Sequence, residues 1–372
     1  MNATVQRLCP APGQRVVALS DVHGNLDFLK GLFQKIDLSS DDLLVLCGDL
    51  VEKGPHSLAT LRLLLDLSRR MEVRGVIGNC DFGVLMALES EEERTQEWFR
   101  HCVQLRTGRW GSLLLEMMQE QGMEFLPQGD LRPIIRHLNA AYREELAFLR
   151  GLPTVLSAPR HLFVHAGLPT QDEAKLSAHP LSACVKVDDF MASASGFSKW
   201  VIVGHWPVSL YREDFPRLWP IVDKARHIIS IDGGCVLKSD GQLNALLFFG
   251  PDGEDFSFAA YDGLPLARAL DAQEESARSF HLRWTDNEVE ILRRWGDCAR
   301  IRHLRTGYEM DVPASLLLTE GPPARCLDAT DYQLAVRPGE MLSVLDAAPC
   351  ALGWRVKRDG VSGWYRGRLS FL

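Results

Sequence analysis

Five short runs of Val, Ile, Leu and Phe punctuate the first part of the chain, at 15–19, 43–46, 73–77, 162–163 and 201–202. Each runs directly into a polar segment rich in Gly, Asp, Asn and His. Apolar runs this short, ending in turn-forming polar residues, predict buried strands that feed loops at one sheet edge. Between them, apolar residues at 58, 61, 63, 64, 65 and 67 fit one face of a helix packed on a sheet. The stretch 82–164 is mostly helical in pattern, with a charge-dense patch at 89–94 and a helix at 141–149 that stops before Pro153. After about residue 268 the pattern changes. Residues 270–279 are polar and helix-like and read as a linker, and short alternating runs follow, at 281–284, 288–292 and 299–302. Asp359-Gly360 sits between two such runs, a strong hairpin signal.

The segments after the five strands carry the chemistry. They are Ser20-Asp21-Val22-His23-Gly24-Asn25, Gly48-Asp49-Leu50-Val51-Glu52-Lys53-Gly54, Gly78-Asn79-Cys80-Asp81, Val164-His165-Ala166-Gly167 and Val203-Gly204-His205-Trp206. Asp21, His23, Asp49, Asn79, His165 and His205 offer two carboxylates, an amide oxygen and three imidazoles. That donor set suits Mn, Fe or Zn rather than copper(I) or an iron–sulfur cluster. Two such cations about 3.5–4 Å apart can clamp the oxygens of an in-line displacement and supply a hydroxide at neutral pH. Asp49, in the second loop, is the natural bridge. His56, two residues past Gly54, would lie near the cations and could donate to a phosphate oxygen or serve as an acid.

These motifs, in this order, resemble the calcineurin-like metallophosphoesterases, in the branch of phosphoprotein phosphatases and diadenosine tetraphosphate hydrolases. The match covers about 13–265, and the later segments 229–235 and 241–245 fit the same branch. The resemblance implies a four-layer αββα sandwich with a helical insertion at about 84–150. It places Asp21, His23 and Asp49 on a first metal, and Asp49, Asn79, His165 and His205 on a second. The pair would be two divalent or mixed-valence ions, with Mn expected first and Fe or Zn as alternatives. Asp49, Asn79, Cys80 and Glu52 take the catalytic positions, while Lys53, Asn79 and His56 are the expected phosphate contacts. Many phosphoprotein phosphatases carry Arg where this chain has Lys53, which keeps the charge but loses the bidentate fork.

Cys80 is the main departure. The family pattern has a His there, thought to protonate the leaving group with help from a carboxylate whose counterpart here is Glu52. A thiol is a poorer acid at pH 7 than an imidazolium, and general-acid help is worth about 10²–10⁴-fold. An alkoxide leaving group needs that help; a nucleoside phosphate or phenolate leaves largely unaided. Gly-Asn-Cys-Asp also resembles a branch of small bacterial and archaeal phosphodiesterases. Those usually end in Gly-His-Thr-His, whereas this chain has Gly204-His205-Trp206-Pro207. The expected activity is therefore binuclear-metal hydrolysis of a phosphate ester by a bridging hydroxide, serine/threonine phosphatase-like. Dinucleoside polyphosphate hydrolysis or phosphodiesterase activity is the alternative that Cys80 favours, and a binding module with a decayed site is the alternative of another class. Arg106, Arg109, Trp110 and Arg136 in the helical stretch are further candidate phosphate or base contacts.

The 372 residues suffice for a large domain and a small one, expected at 1–268 and 280–372 with 269–279 between them. Trp354 to Tyr365, with Gly-Trp on either side of the hairpin, resembles a bacterial SH3-like barrel, a small all-β module. Arg355, Lys357, Arg358, Arg366 and Arg368 beside Trp364 and Tyr365 could dock an acidic protein or peptide. A net charge of −8 argues against nucleic acid as the main partner, leaving a phosphorylated protein or small phosphoester as substrate. Nine cysteines without a Cys-x-x-Cys pair suggest free thiols in a cytoplasmic setting. No run of 18 apolar residues argues for a membrane span.

Overall fold

The computed structural model describes residues 1–372 except Thr107, Arg109 and Glu320, so the suggested contact at Arg109 lies outside the described residues. The chain forms two units. One comprises Met1–Trp206, Pro220–Leu237 and Gln242–Tyr261; the other comprises Pro207–Trp219, Lys238–Gly241 and Asp262–Leu372.

The first unit begins with β1 (Val5–Arg7), β2 (Arg15–Leu19), α1 (Leu26–Lys35), β3 (Leu43–Cys47), α2 (Ser57–Ser68) and β4 (Glu72–Val76). Five helices follow: α3 (Asn79–Ala87), α4 (Glu93–Arg106), α5 (Leu113–Glu120), α6 (Arg132–Ala141) and α7 (Arg143–Arg150). Next come β5 (Val155–Ser157), β6 (His161–Val164), the one-turn helices α8 (Glu173–Leu176), α9 (Ser182–Val185) and α10 (Phe190–Ser193), and β7 (Trp200–Val203). The unit closes with β8 (Ile221–Asp223), β9 (Ile228–Ser230), β10 (Leu243–Phe249) and β11 (Ser257–Tyr261). One sheet runs β11-β10-β2-β3-β4 and the other β1-β5-β6-β7-β9-β8. The motif-bearing strands pair in parallel, β2 with β3, β3 with β4, and β6 with β7. Parallel pairing sends all their C-terminal ends the same way, so the loops of each sheet gather at one edge.

Strand alternation divides the core. Val16, Ala18, Leu43 and Val45 share a cluster with Phe163, Ile202 and Ile229, so the two sheets face each other. Val17, Leu19, Leu44 and Leu46 point the other way, onto Leu29 and Leu32 of α1, Leu61 and Leu64 of α2, Phe99 of α4 and Leu146 of α7. The mixed α/β architecture expected from the sequence is thus the one observed. The helical stretch starts at Asn79, earlier than the expected 84, because the third motif is itself the first turn of α3.

The second unit is all β apart from short turns. Its strands are β12 (Leu266–Ala269), β13 (His281–Leu282), β14 (Glu288–Trp295), β15 (Cys298–His303), β16 (Glu309–Pro313) and β17 (Leu317–Thr319). The remainder are β18 (Ala324–Cys326), β19 (Ala329–Thr330), β20 (Met341–Val344), β21 (Trp354–Arg358), β22 (Val361–Tyr365) and β23 (Leu369–Phe371). They pair as β16-β15-β14-β18-β17, β22-β21-β20-β12-β23 and β13-β19. The Asp359-Gly360 hairpin forms as expected, both residues at positive φ (50° and 66°) and Arg358 paired with Val361. Two expectations are corrected. Residue 268 is not a boundary but lies within β12, paired with β20 and β23, and the second unit resumes at Asp262. Residues 270–279 are not helical. Gln273 forms a bridge with Val336, and its Nε2 donates to the carbonyls of Leu334 at 2.8 Å and Trp364 at 2.7 Å. An amide that substitutes for a ladder partner is invisible to periodicity.

Candidate metal centre

The loops after β2, β3 and β4 are laced by backbone bonds that leave their side chains free to converge. Asp21 N–H donates to the Gly48 carbonyl at 3.0 Å, His23 N–H to Asp49 at 2.9 Å and Gly24 N–H to Leu50 at 2.9 Å. So tight a lacing requires glycine nearby. A Cβ on Gly54 would lie 1.9 Å from the His23 carbonyl oxygen, and one on Gly78 2.1 Å from Asp49 N. The chain also adopts left-handed backbone at Asp21 (φ 56°), His23 (50°), Asp49 (52°), Glu52 (72°), Lys53 (72°) and His205 (67°). Such conformations cost roughly 1–3 kcal/mol each and concentrate where function requires them.

All six sequence-derived donors meet. His23 Nε2 lies 3.7 Å from Asp21 Oδ1 and 3.8 Å from Asp49 Oδ2, and His165 Nε2 lies 3.4 Å from Asp49 Oδ1. The Asn79 amide is 3.1 Å from His165 Nε2 and 2.9 Å from His205 Nδ1. Asp49 therefore has an imidazole on either side, the arrangement of a carboxylate shared between two cations. The histidines are oriented from behind. His165 Nδ1 lies 2.9 Å from the Cys47 carbonyl, and His205 Nε2 lies 3.1 Å from Asp188 Oδ1. A donor N–H at those positions leaves Nε2 of His165 and Nδ1 of His205 as lone pairs for a metal. Asp21 Oδ2 accepts the His205 backbone N–H at 2.9 Å and a short bond from the Ser20 hydroxyl.

The electrostatics are those of a site built for positive charge. Burial pushes the His23 imidazole well below its ordinary value, with Lys53 adding to the effect, and burial lowers His205 to about 4. Burial raises Asp21 to about 6. Burial would raise Asp49 too, but His165, His23 and Lys53 hold its carboxyl well below the usual range. Neutral imidazoles and buried carboxylates facing one another are the donor states divalent cations need, so the residues present fit a metal pair.

The phosphate and acid candidates separate. Lys53 Nζ lies 3.2 Å from His23 Nε2 and 3.9 Å from Asp49 Oδ2, at the cluster. Cys80 is buried there as well, its N–H donating to Asp49 Oδ1 at 2.8 Å. Glu52 is turned toward the helical stretch. It accepts from Arg106 Nε at 3.0 Å, Leu113 N–H at 2.6 Å and Ser112 Oγ at 3.3 Å. His56 is exposed at the start of α2, beside Glu116. Arg106 reaches the site through Glu52, whereas Arg136 pairs with Glu91 on the exposed surface. Arg136 is therefore corrected to a surface ion pair.

Sequence reasoning overlooked two supporting carboxylates. Asp81 accepts from the backbone N–H groups of Leu50 (2.9 Å), Val51 (3.2 Å) and Gly78 (3.0 Å), fixing the Asp49 loop from below. Its place directly after Asn79-Cys80 was the available signal. Asp232, fully buried after β9, feels Asp21, Lys53 and Asp49, and its Oδ2 has no hydrogen-bond partner among the described residues. No strand–loop signal other than Ile231-Asp232-Gly233 marked it.

The model of the calcineurin-like phosphoesterase family matches residues 14–224, more than half of the sequence. The chain belongs to that family. Among curated relatives it is 28% identical over 203 residues to a symmetrical bis(5'-nucleosyl)-tetraphosphatase of Shewanella frigidimarina, covering 53% of this chain and 61% of that protein. It is 31% identical over 156 residues to one of a Janthinobacterium species, covering 41% and 44%. The matches thus span less than two thirds of those relatives. A solved protein serine/threonine phosphatase from Saccharomyces cerevisiae, described as similar to human phosphatase PP5, aligns with 70% of this chain and 84% of its own length. It does so at 10% identity and a TM-score of 0.42. No helix among the described residues is long and apolar enough to cross a membrane.

Proposed function

We propose that this protein hydrolyses phosphoanhydrides of the dinucleoside polyphosphate type, using a metal pair held by Asp21, His23 and Asp49 on one side and by Asp49, Asn79, His165 and His205 on the other. The observation that carries the reading is Asp49 set between His23 and His165, at 3.8 and 3.4 Å, with the donors of two facing sheets converging on it. Bound cations would supply an activated water and positive charge for the transferred phosphoryl oxygens. The rest falls to the chain. Lys53, at the rim of the cluster, would hold a phosphate oxygen as a point charge. Glu52 would fix Arg106, and with it the edge of the pocket. Asp49 and Asn79 would keep the reacting phosphoryl in line with its leaving group.

Cys80 supports that substrate class. It stands where the family resemblance expects an acid, and its chemistry provides a poor one, so the leaving group must depart as a stable anion. A nucleotide leaves in that way; a serine alkoxide does not. The names of the curated relatives support the same choice. Mn remains the first expectation for the metal, with Fe or Zn next, and the free cysteines fit a reducing cytoplasm. Phosphoprotein hydrolysis is the second reading, favoured by the Glu52–Lys53 arrangement after Asp49. Protein loaded with Mn should be offered diadenosine tetraphosphate, a phosphoserine peptide, p-nitrophenyl phosphate and its bis ester. The dinucleotide and the aryl esters should turn over well ahead of the phosphopeptide, and a faster phosphopeptide would overturn the assignment. Cys80→His should raise phosphopeptide turnover by about 10²-fold or more, with little effect on the dinucleotide.

A further inference from the structure

Cys80 deserves more than the part of a missing acid. Donor atoms of His23, Asp49 and Cys80 all lie within 4.8 Å of one another, and all three residues are buried. Metal–sulfur and metal–nitrogen bonds of about 2.3 and 2.0 Å put two ligands of one cation at most about 4.3 Å apart, close to the spread these three donors already have. The same Asp49 also belongs to a group with His165 and His205. The two groups meet at Asp49 and correspond to the two cation positions.

The surroundings of the sulfur are not those of a packing residue. Burial and the neighbouring Asp49 push the Cys80 thiol well above its ordinary value, while Lys53 from the β3 loop and Arg106 from the end of α4 oppose them, and the Asn79 amide donates to Sγ at 3.5 Å. Cys80 is the second residue of α3, a nine-residue helix whose first turn points N–H groups at the site. A bound cation would have to displace the thiol proton, as it does at any cysteine ligand. Asn79, one position earlier, faces His165 and His205. The first two residues of α3 thus straddle Asp49, one toward each group.

The geometry points to Cys80 as a thiolate ligand of the first cation, joining His23 and Asp49. This rests on the two-cation reading above and extends it. On binding, the S–H bond breaks, a sulfur–metal bond forms, and the proton is released to solvent. A sulfur donor shifts that position toward borderline metals such as Zn and Co and away from Mn. It also removes Cys80 from proton transfer altogether.

Metal-free full-length protein titrated with cobalt(II) tests this without any turnover. Cobalt bound by nitrogen and oxygen gives weak visible ligand-field bands, whereas cobalt bound by thiolate adds an intense near-ultraviolet charge-transfer band. The wild type should show both, and Cys80→Ser should keep the visible bands and lose the charge-transfer band. Competition should show zinc preferred over manganese by a wider margin in the wild type than in Cys80→Ser. Visible bands without charge transfer in the wild type would overturn the thiolate ligand and leave the two-cation reading standing. A wild type that binds no cobalt, zinc or manganese would overturn both.

Discussion

The two units of this chain spend conformational strain differently. In the first, six of the residues at the candidate centre sit at left-handed backbone angles, five of them Asp, Glu, Lys or His in the loops after β2 and β3. In the second, Asp359 is the one non-glycine residue at positive φ among the described residues, and it occupies a two-residue hairpin turn where that conformation is ordinary. The all-β unit follows local rules almost everywhere. The α/β unit also breaks them at Asp37, Asp189, His227 and Val236, but most densely at one edge, where six such residues gather beside buried charge. Local rules that fail together mark the place where something other than folding set the residues.

The comparison predicts a trade-off at Asp21. Its folded carboxyl is raised to about 6, chiefly by burial, against about 3.9 in an unfolded chain. The unfolded state therefore ionises first. The metal-free protein is fully stable in this respect below about pH 4 and loses stability as the pH climbs to about 6, after which the loss is constant. Asp21→Asn keeps the oxygen that accepts the His205 N–H and tolerates the left-handed backbone, but has no charge to bury. Turnover should drop by about 10³-fold, the scale of losing a group that holds transition-state charge. In chelator, the variant should melt above the wild type at pH 8. A variant that melts lower would mean the strained edge is a folding requirement, and the contrast between the units would collapse.

Lys53 tests the same edge more gently. Lys53→Met should raise KM by about 10-fold or more while leaving metal content intact, since the loss is one charge-assisted hydrogen bond to phosphate. Lys53→Arg should recover most of it. Loss of bound metal in Lys53→Met, read by elemental analysis, would instead make Lys53 part of the metal scaffold.

Acid lability should be shared by both units, which isolates strain as the real difference. His161 of β6 is buried against Phe248, lies 2.9 Å from the Gly253 carbonyl, and is lowered by burial to about 4. His281 in the second unit is also lowered to about 4, again by burial first. A depressed histidine makes the unfolded state the better proton binder between about pH 4 and 6.5, so stability is whole above 6.5 and is lost as the pH falls to about 4. For His161 the loss is at most about 3 kcal/mol. His161→Gln should flatten the dependence of melting temperature on pH across that window. An unchanged slope would place the acid sensitivity elsewhere.

What could be read from the sequence follows the same division. The six donors were legible because each follows a short apolar strand, and parallel pairing of β2, β3 and β4 and of β6 and β7 leaves their ends together. The hairpin was legible because Asp-Gly has few other uses. Arg136 was misplaced because a charge on a helix carries no label for the face it occupies; its partner, Glu91, is 45 residues away. Asp81 and Asp232 escaped because they act on backbone or from behind other carboxylates, where no spacing rule applies. The boundary at 268 failed because β12 finds its partners β20 and β23 more than 70 residues downstream.

The smallest predicted effect gives the sharpest contrast. Asp49 and Asp359 have nearly the same φ, 52° and 50°, and Asn suits that backbone at either position. At Asp359, Asn should change stability by no more than about 0.5 kcal/mol, as surface substitutions do, whereas Asp359→Val should cost about 1–2 kcal/mol through its Cβ alone. At Asp49, Asn fits the backbone equally well but cannot bridge two cations, so turnover should vanish though the loop keeps its shape. Chemical denaturation of the Asp359 pair and turnover of Asp49→Asn decide the matter. A silent Asp49→Asn would mean that its left-handed angle serves only the turn, as at Asp359, and the coincidence of strain with chemistry would be accidental.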